Sequence, residues 1–84
     1  MPGRRDRAKP IARRLQIESF HAALAAYHAD VGRFPATAEG LEALRQPFAA
    51  IGWKGPYLAA EIPVDPWGIS YRYQLRSPDQ PVID

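Results

Sequence analysis

The sequence has 84 residues, of which 46% are hydrophobic and 24% charged, so it is long enough to bury one small core. It contains no cysteine, which excludes a disulfide framework and a thiolate metal site. It also lacks an uninterrupted apolar run long enough to predict a transmembrane helix. We therefore interpret residues 1–84 as a single domain.

Positive charge is concentrated at the N-terminal end of the chain. Residues 1–14 hold six of the eleven Lys and Arg and one acid, so they carry +5, while the whole chain carries +2. One interpretation is an electrostatic contact with nucleic acid, anionic lipid or an acidic neighbour. The other is a solvated helix start. For the basic residues 1–7 two further alternatives stay open, a disordered arm and a segment that is not native.

The first predicted element is a long amphipathic helix that begins near Lys9 and ends before Gly32. Pro10 suits its first turn, and Gly32 suits the position after its last turn. Apolar residues recur at steps of three and four, which places them on one stripe of the helix: Ile17, Phe20, Leu24, Tyr27 and Val31. Five alanines beside this stripe favour the helix and leave a flat surface for a partner: Ala22, Ala23, Ala25, Ala26 and Ala29.

A second, short helix is predicted over residues 38–45. Thr37 is the expected N-cap, and Leu41 and Leu44 are expected to point inward. Gly40 within this helix costs about 1 kcal/mol relative to alanine. We therefore expect a packing reason for the glycine.

Proline and glycine are dense in residues 47–68, which predicts an irregular loop held by its side chains. We expect Trp53, Tyr57 and Trp67 to pin this loop to the core. Trp67 lies in an Asp-Pro-Trp-Gly turn and is interpreted as a buried anchor whose replacement by alanine costs about 3–5 kcal/mol. The side-chain stem of Lys54 is expected to cover a ring while its amine stays in water.

A half-buried strand is predicted after the loop. Ile69, Tyr71, Tyr73 and Leu75 alternate with polar residues, the period of a strand with one buried face. Ser-Pro-Asp at 77–79 predicts a turn, after which an antiparallel strand returns. A two-stranded sheet is marginal alone and must pack on the long helix. The predicted fold class is α+β.

The sequence shows no arrangement for catalysis. His21 and His28 are two helical turns apart, about 10 Å, which is too far for one metal ion. Neither Ser19 nor Ser70 lies in the Gly-x-Ser-x-Gly sequence of a nucleophile elbow, and no phosphate loop or zinc motif occurs. We therefore predict that the protein is not an enzyme.

Several motifs occur in a fixed order between about residues 8 and 76. They are Gly-Arg-Phe-Pro at 32–35, Gly-Leu at 40–41, Trp-Lys-Gly-Pro-Tyr-Leu at 53–58 and Asp-Pro-Trp-Gly at 65–68, followed by Tyr71 and Tyr73. This ordered set resembles the major pseudopilin of type II secretion, the G subunit. The resemblance implies a pilin-like fold in which the long helix packs on a small antiparallel sheet.

The resemblance also implies a function, a location and partners. Members of this family form a pseudopilus on the periplasmic face of the bacterial inner membrane and help to drive folded proteins across the outer membrane. The implied partners are further copies of the chain, minor pseudopilins, other secretion components and the inner membrane, which the family reaches through an N-terminal hydrophobic helix absent from this sequence. Nucleic acid is not among them.

The family carries a C-terminal loop that binds calcium, and Asp84 matches its first aspartate. The remaining ligands are not in this sequence, so no cofactor is expected here and calcium is expected only in the full-length protein. Ala-Thr-Ala-Glu at 36–39 departs from the usual Thr-Thr-Glu-Gln, which leaves Thr37 as the predicted cap.

Two alternatives to the major pseudopilin stay open. One is a minor pseudopilin or a type IV pilin-like subunit. The other is a small nucleic-acid-binding module, which predicts exposed Trp53 and Trp67 and strongly salt-dependent binding.

Overall fold

The computed structural model describes the backbone of residues 2–84 and the side chains of residues 7–84. The elements in chain order are helix α1 (Pro2–Val31), the 3-10 helix η1 (Gly40–Leu44), strand β1 (Tyr73–Leu75) and strand β2 (Pro81–Ile83). The two strands pair antiparallel, with Tyr73 opposite Ile83. One long helix with a small antiparallel sheet confirms the predicted α+β, pilin-like fold class.

Helix α1 begins earlier than the sequence predicts. It starts at Pro2, so Pro10 lies inside it and not in its first turn. The fixed φ angle of proline is compatible with the helix, which continues through Pro10, although the ring removes one N–H donor and crowds the carbonyl four residues earlier, at a cost of about 3 kcal/mol. The predicted contacts of the basic segment 1–7 fall largely on side chains outside the described residues. In the part that is described, no helix has the length and hydropathy needed to cross a bilayer.

The core lies where one face of α1 meets η1 and β1. Phe20, Leu24 and Tyr27 of the predicted stripe are buried there, whereas Val31 is partly buried at its edge. Among the described residues the buried hydrophobic cluster consists of Phe20, Ala23, Leu24, Tyr27, Leu41, Ala43, Leu44 and Tyr73, and Pro35 is also buried. Trp53 and Tyr57 pack against this cluster and are partly buried.

The second helix is a 3-10 helix and shorter than predicted. Thr37 does not cap it, because the Thr37 Oγ1 accepts a hydrogen bond from the backbone N–H of Leu75, 2.9 Å away. Glu39 provides the local stabilisation. Its Oε1 accepts a hydrogen bond from the backbone N–H of Ala36 at 2.7 Å. Thr37 therefore connects this segment to β1, and η1 has no side-chain cap, while Glu39 closes the turn that precedes it.

Gly40 has a conformational role and not the packing role predicted for it. Its φ is +64°, in the left-handed region that residues with a Cβ rarely adopt. A Cβ built at this position meets no atom within 4 Å. The glycine is therefore required by the backbone turn into η1.

The predicted strand over 69–76 is narrower in the structure. Only Tyr73–Leu75 belong to β1, and Ile69 is 63% exposed and does not face the core. The reason is a separate hairpin before β1, closed by an antiparallel bridge between Val64 and Ser70. The return strand is confirmed by β2.

Candidate functional site

Two aromatic side chains attach the irregular loop to the helices. The Trp53 Nε1–H donates a hydrogen bond to the backbone oxygen of Ala43 in η1 at 2.9 Å. The Tyr57 hydroxyl donates to Oδ2 of Asp30 in α1 at 2.8 Å and accepts from the backbone N–H of Lys54 at 2.9 Å. The rings of Trp53 and Tyr57 pack edge to face, with centroids 5.5 Å apart. Trp53 and Tyr57 thus hold the loop, while Lys54 is exposed and contributes its backbone.

The hairpin at residues 64–70 is closed by its own hydrogen bonds. The Asp65 Oδ1 accepts from the backbone N–H of Trp67 at 2.9 Å and of Ile69 at 2.8 Å. Gly68, with φ +82°, completes the turn. The Asp-Pro-Trp-Gly motif therefore forms the turn that its residues predict, and the turn is internally rigid.

Trp67 is 50% exposed, so the prediction that it is a buried anchor is wrong. Because Asp65 accepts hydrogen bonds from the backbone N–H groups of the turn, the hairpin closes without burying the Trp67 ring in the core. The ammonium of Lys9 lies 6.0 Å from the centroid of the ring, at the limit of a cation–π contact. We therefore expect Trp67→Ala to lower the free energy of unfolding by about 1–2 kcal/mol, which is less than the loss expected for a fully buried ring.

An ion pair braces the connection between α1 and η1. The Arg33 Nη1 donates to Glu39 Oε1 at 2.9 Å. The hydrogen bond from Arg33 is the main cause that holds the pKa of Glu39 below its usual value. The side chain of Arg33 is 47% exposed, so the pair is screened by water and contributes less than about 1 kcal/mol.

Tyrosines attach the sheet to the rest of the fold. The Tyr73 hydroxyl donates to the backbone oxygen of Pro35 at 2.6 Å, and burial raises the pKa of Tyr73 to about 12. Tyr71 packs edge to face on Phe20, with centroids 5.0 Å apart, and its hydroxyl donates to Gln16 Oε1. The Tyr71 contacts thus place the segment before β1 against the middle of α1, and the Tyr73 contact ties β1 to the connection after α1.

An open apolar groove lies between α1 and the loop at residues 58–63. Its volume is about 320 Å³, and its walls are Gln16, Ser19, Phe20, Leu58, Ala59, Ala60, Glu61 and Pro63. Glu61 is the one ionisable side chain in this lining. A nucleophile needs a base within hydrogen-bond reach, and this lining offers Ser19 no such pair. The residues that line the groove are therefore those of an apolar contact surface.

The described residues contain no group of three or more His, Cys, Asp or Glu side chains placed to hold a metal ion. His21 and His28 are exposed on α1, and the His28 ring lies against Phe34, with centroids 4.5 Å apart. Asp84 is exposed, and its backbone exchanges two hydrogen bonds with Arg72, at 2.9 and 3.0 Å. A calcium role for Asp84 stays a prediction from the resemblance.

Sequence reasoning missed three of these contacts. The Tyr57–Asp30 bond joins residues 27 positions apart, and Arg33–Glu39 joins the end of α1 to the start of η1. The Thr37–Leu75 bond spans 38 positions. A signal existed only for Arg33 and Glu39, which are opposite charges on either side of a short connection.

The comparisons with known proteins agree with this geometry. A family model described as "Type II secretion system (T2SS), protein G" matches residues 1–84. The chain is 36% identical over 74 residues to the type II secretion system core protein G of Pseudomonas aeruginosa, covering 83% of this chain and 52% of that protein. It is 30% identical over 73 residues to the protein of the same name from Xanthomonas campestris pv. campestris, covering 87% of this chain and 50% of that protein.

The chain spans about half the length of these curated relatives. No solved structure matches it significantly.

Proposed function

Because the chain belongs to the type II secretion system protein G family, the major pseudopilins, we propose that it is a structural subunit of a periplasmic pseudopilus. The observation that carries this proposal is a family match over residues 1–84, which includes α1, the loop and both strands. The subunit polymerises with its own copies and helps to drive folded proteins across the outer membrane.

The outer face of α1 supports assembly through this helix. The inner face is used by the core, but Ala22, Ala25, Ala26 and Ala29 are exposed. Alanine side chains are small, and helices packed through such residues lie at the close end of the usual interaxial range of about 8–10 Å. A neighbouring subunit can therefore approach α1 closely without rearranging the core.

The proposal includes a periplasmic location at the inner membrane and contacts with minor pseudopilins and other secretion components. It includes no catalytic step. Calcium binding by the full-length protein, through a loop that begins near Asp84, belongs to the same proposal. The nucleic-acid-binding alternative required both tryptophans to be exposed, whereas Trp53 is partly buried and hydrogen-bonded.

The test uses the full-length protein in a bacterium that lacks its own copy of this subunit. A photo-crosslinking amino acid at Ala22 or Ala26, on the exposed face of α1, should yield a ladder of masses at multiples of the subunit. A matched control places the same amino acid at Ala49, which is exposed in the loop after η1. The helix positions should give the stronger ladder, and the full-length gene should restore export of a secreted enzyme.

Restored export with cross-links only to other proteins would replace the major pseudopilin with a minor one. Absence of both the ladder and restored export would contradict a role in the pseudopilus.

A further inference from the structure

We propose that the hairpin at residues 64–70 and the adjoining part of α1 dock on an anionic lipid surface. We name this surface the hairpin patch, and it consists of Lys9, Arg13, Val64, Trp67 and Ile69. The inference goes beyond self-assembly and stands on different observations, so each proposal can fail without the other.

The hairpin carries three exposed large apolar side chains within six positions. Val64 is 48% exposed, Trp67 50% and Ile69 63%. Scattered apolar residues on a surface need no explanation, but these three occur on one turn. The two backbone hydrogen bonds to Asp65 hold that turn, so Trp67 is presented on a rigid support.

One cation lies beside Trp67 and a second lies beside Tyr71, the residue that follows the hairpin. The Lys9 ammonium lies 6.0 Å from the Trp67 ring, and the Arg13 guanidinium lies 5.8 Å from the ring of Tyr71. The only acid in the turn, Asp65, already accepts two backbone hydrogen bonds. Lys and Arg near an anionic membrane are attracted to its surface, and the amphipathic ring of tryptophan is favoured at the headgroup level.

The size and make-up of the hairpin patch favour lipid over a macromolecular partner. A stable protein interface buries about 800 Å² on each partner, which three partly exposed side chains on one hairpin do not supply. A bilayer surface needs no shape complementarity. Nucleic acid bases stack on free aromatic faces. The face of Trp67 is approached by Lys9, and the other exposed apolar residues of the hairpin, Val64 and Ile69, are aliphatic, so the hairpin patch does not favour base stacking.

The first experiment follows Trp67 as it meets a membrane. The chain with Trp53→Phe, in which Trp67 is the remaining tryptophan, is mixed with vesicles of phosphatidylglycerol and phosphatidylcholine or of phosphatidylcholine alone. We expect co-sedimentation with the anionic vesicles, a blue shift of the emission and quenching by brominated lipid. The chain with Trp67→Phe reports from Trp53 instead, and its emission should not shift. If Trp53→Phe unfolds the protein, the difference between the emission of the unmodified chain and that of Trp67→Phe gives the Trp67 signal.

Charge reversal supplies a matched control. Lys9→Glu with Arg13→Glu should weaken binding to the anionic vesicles about tenfold or more. Arg72→Glu with Arg76→Glu changes the net charge by the same amount, at exposed positions next to the sheet. This pair should weaken binding to the anionic vesicles less than about threefold.

Four results of the vesicle experiments would overturn the proposal. They are no binding to anionic vesicles, equal binding to neutral ones, binding without a change in Trp67 emission, and equal loss from both charge reversals. A dimer in sedimentation that disappears with Trp67→Ala would identify the hairpin patch as a protein interface and would also overturn it.

Discussion

At the scale of single residues, α1 offers a direct comparison of burial. Leu24 is 1% exposed in the core, whereas Leu15 on the same helix is 57% exposed. Leu24→Ala should lower the free energy of unfolding by about 2–5 kcal/mol, because it removes buried methyl groups and leaves a cavity. Leu15→Ala should change it by less than about 0.5 kcal/mol. Urea denaturation of both variants measures this, and equal losses would contradict the assigned core.

The burial of Tyr73 predicts how the stability of the fold changes at alkaline pH. Burial raises its pKa from 10.0 to about 12, so the folded state disfavours the phenolate. Below pH 10 both states keep the proton and this residue gives no pH dependence. As the pH rises from 10 to 12 the unfolded state releases the proton first, so stability should fall. Burial also raises the pKa of Tyr27, Tyr57 and Tyr71, so ultraviolet titration should show Tyr73 as the last tyrosine to ionise, and loss of that step in Tyr73→Phe would identify it.

The bond between Tyr57 and Asp30 should be measurable as the attachment of the loop. Tyr57→Phe keeps the ring but removes the hydroxyl that donates to the carboxylate at 2.8 Å. A hydrogen bond to a charged group contributes about 1.5–3 kcal/mol, and partial exposure places the expected loss at the lower end. A double-mutant cycle with Asp30→Ala, which removes the acceptor, separates this coupling from other effects. Strictly additive losses would show that the bond contributes nothing.

At the scale of elements, the hairpin at residues 64–70 depends on one carboxylate. Asp65→Ala removes the acceptor for two backbone N–H groups and should destabilise the hairpin by about 1–2 kcal/mol. Asp79→Ala is the matched control, since among the described residues Asp79 accepts only from the Ser77 hydroxyl, at 3.1 Å. Amide exchange should accelerate at Trp67 and Ile69 in the first variant alone. Unchanged exchange there would contradict a locally closed turn.

The elements also show where local sequence signals are sufficient. The helical stripe of Phe20, Leu24 and Tyr27 is buried as its spacing predicts, because helix geometry places these residues on one face. The sequence predicts a special role for Gly40 but attributes it to packing, whereas the structure shows that the φ angle requires the glycine. A glycine in a sequence does not reveal which of the two reasons applies. Thr37 has the chemistry of a cap, but β1 uses its hydroxyl, and no local pattern shows that competition.

At the scale of the whole molecule, α1 is supported unevenly along its length. Core contacts begin near Phe20, whereas Ile11 and Leu15 are about half exposed. Local opening is easiest where few apolar contacts are lost. Amides of residues 7–15 should therefore exchange roughly a hundredfold faster than those of residues 22–31, as hydrogen exchange with mass spectrometry or NMR can measure. Uniform protection along α1 would show that further contacts support its first half.

The sequence by itself determined the long helix, its buried stripe, the irregular loop and the antiparallel return, as well as the family, because periodicity, turn chemistry and motif order are local properties. The tertiary structure decided which polar groups form hydrogen bonds across the fold, which residues bond to η1 and the segment before it, and which tryptophan is partly buried. Trp53 and Trp67 are both aromatic residues in turn-rich segments, so sequence alone gave them the same role. Trp53 reaches the Ala43 oxygen and is partly buried, whereas the turn around Trp67 is satisfied by Asp65 and leaves the ring half exposed. Burial depends on which distant groups the folded chain brings within reach, and the local pattern does not contain that information.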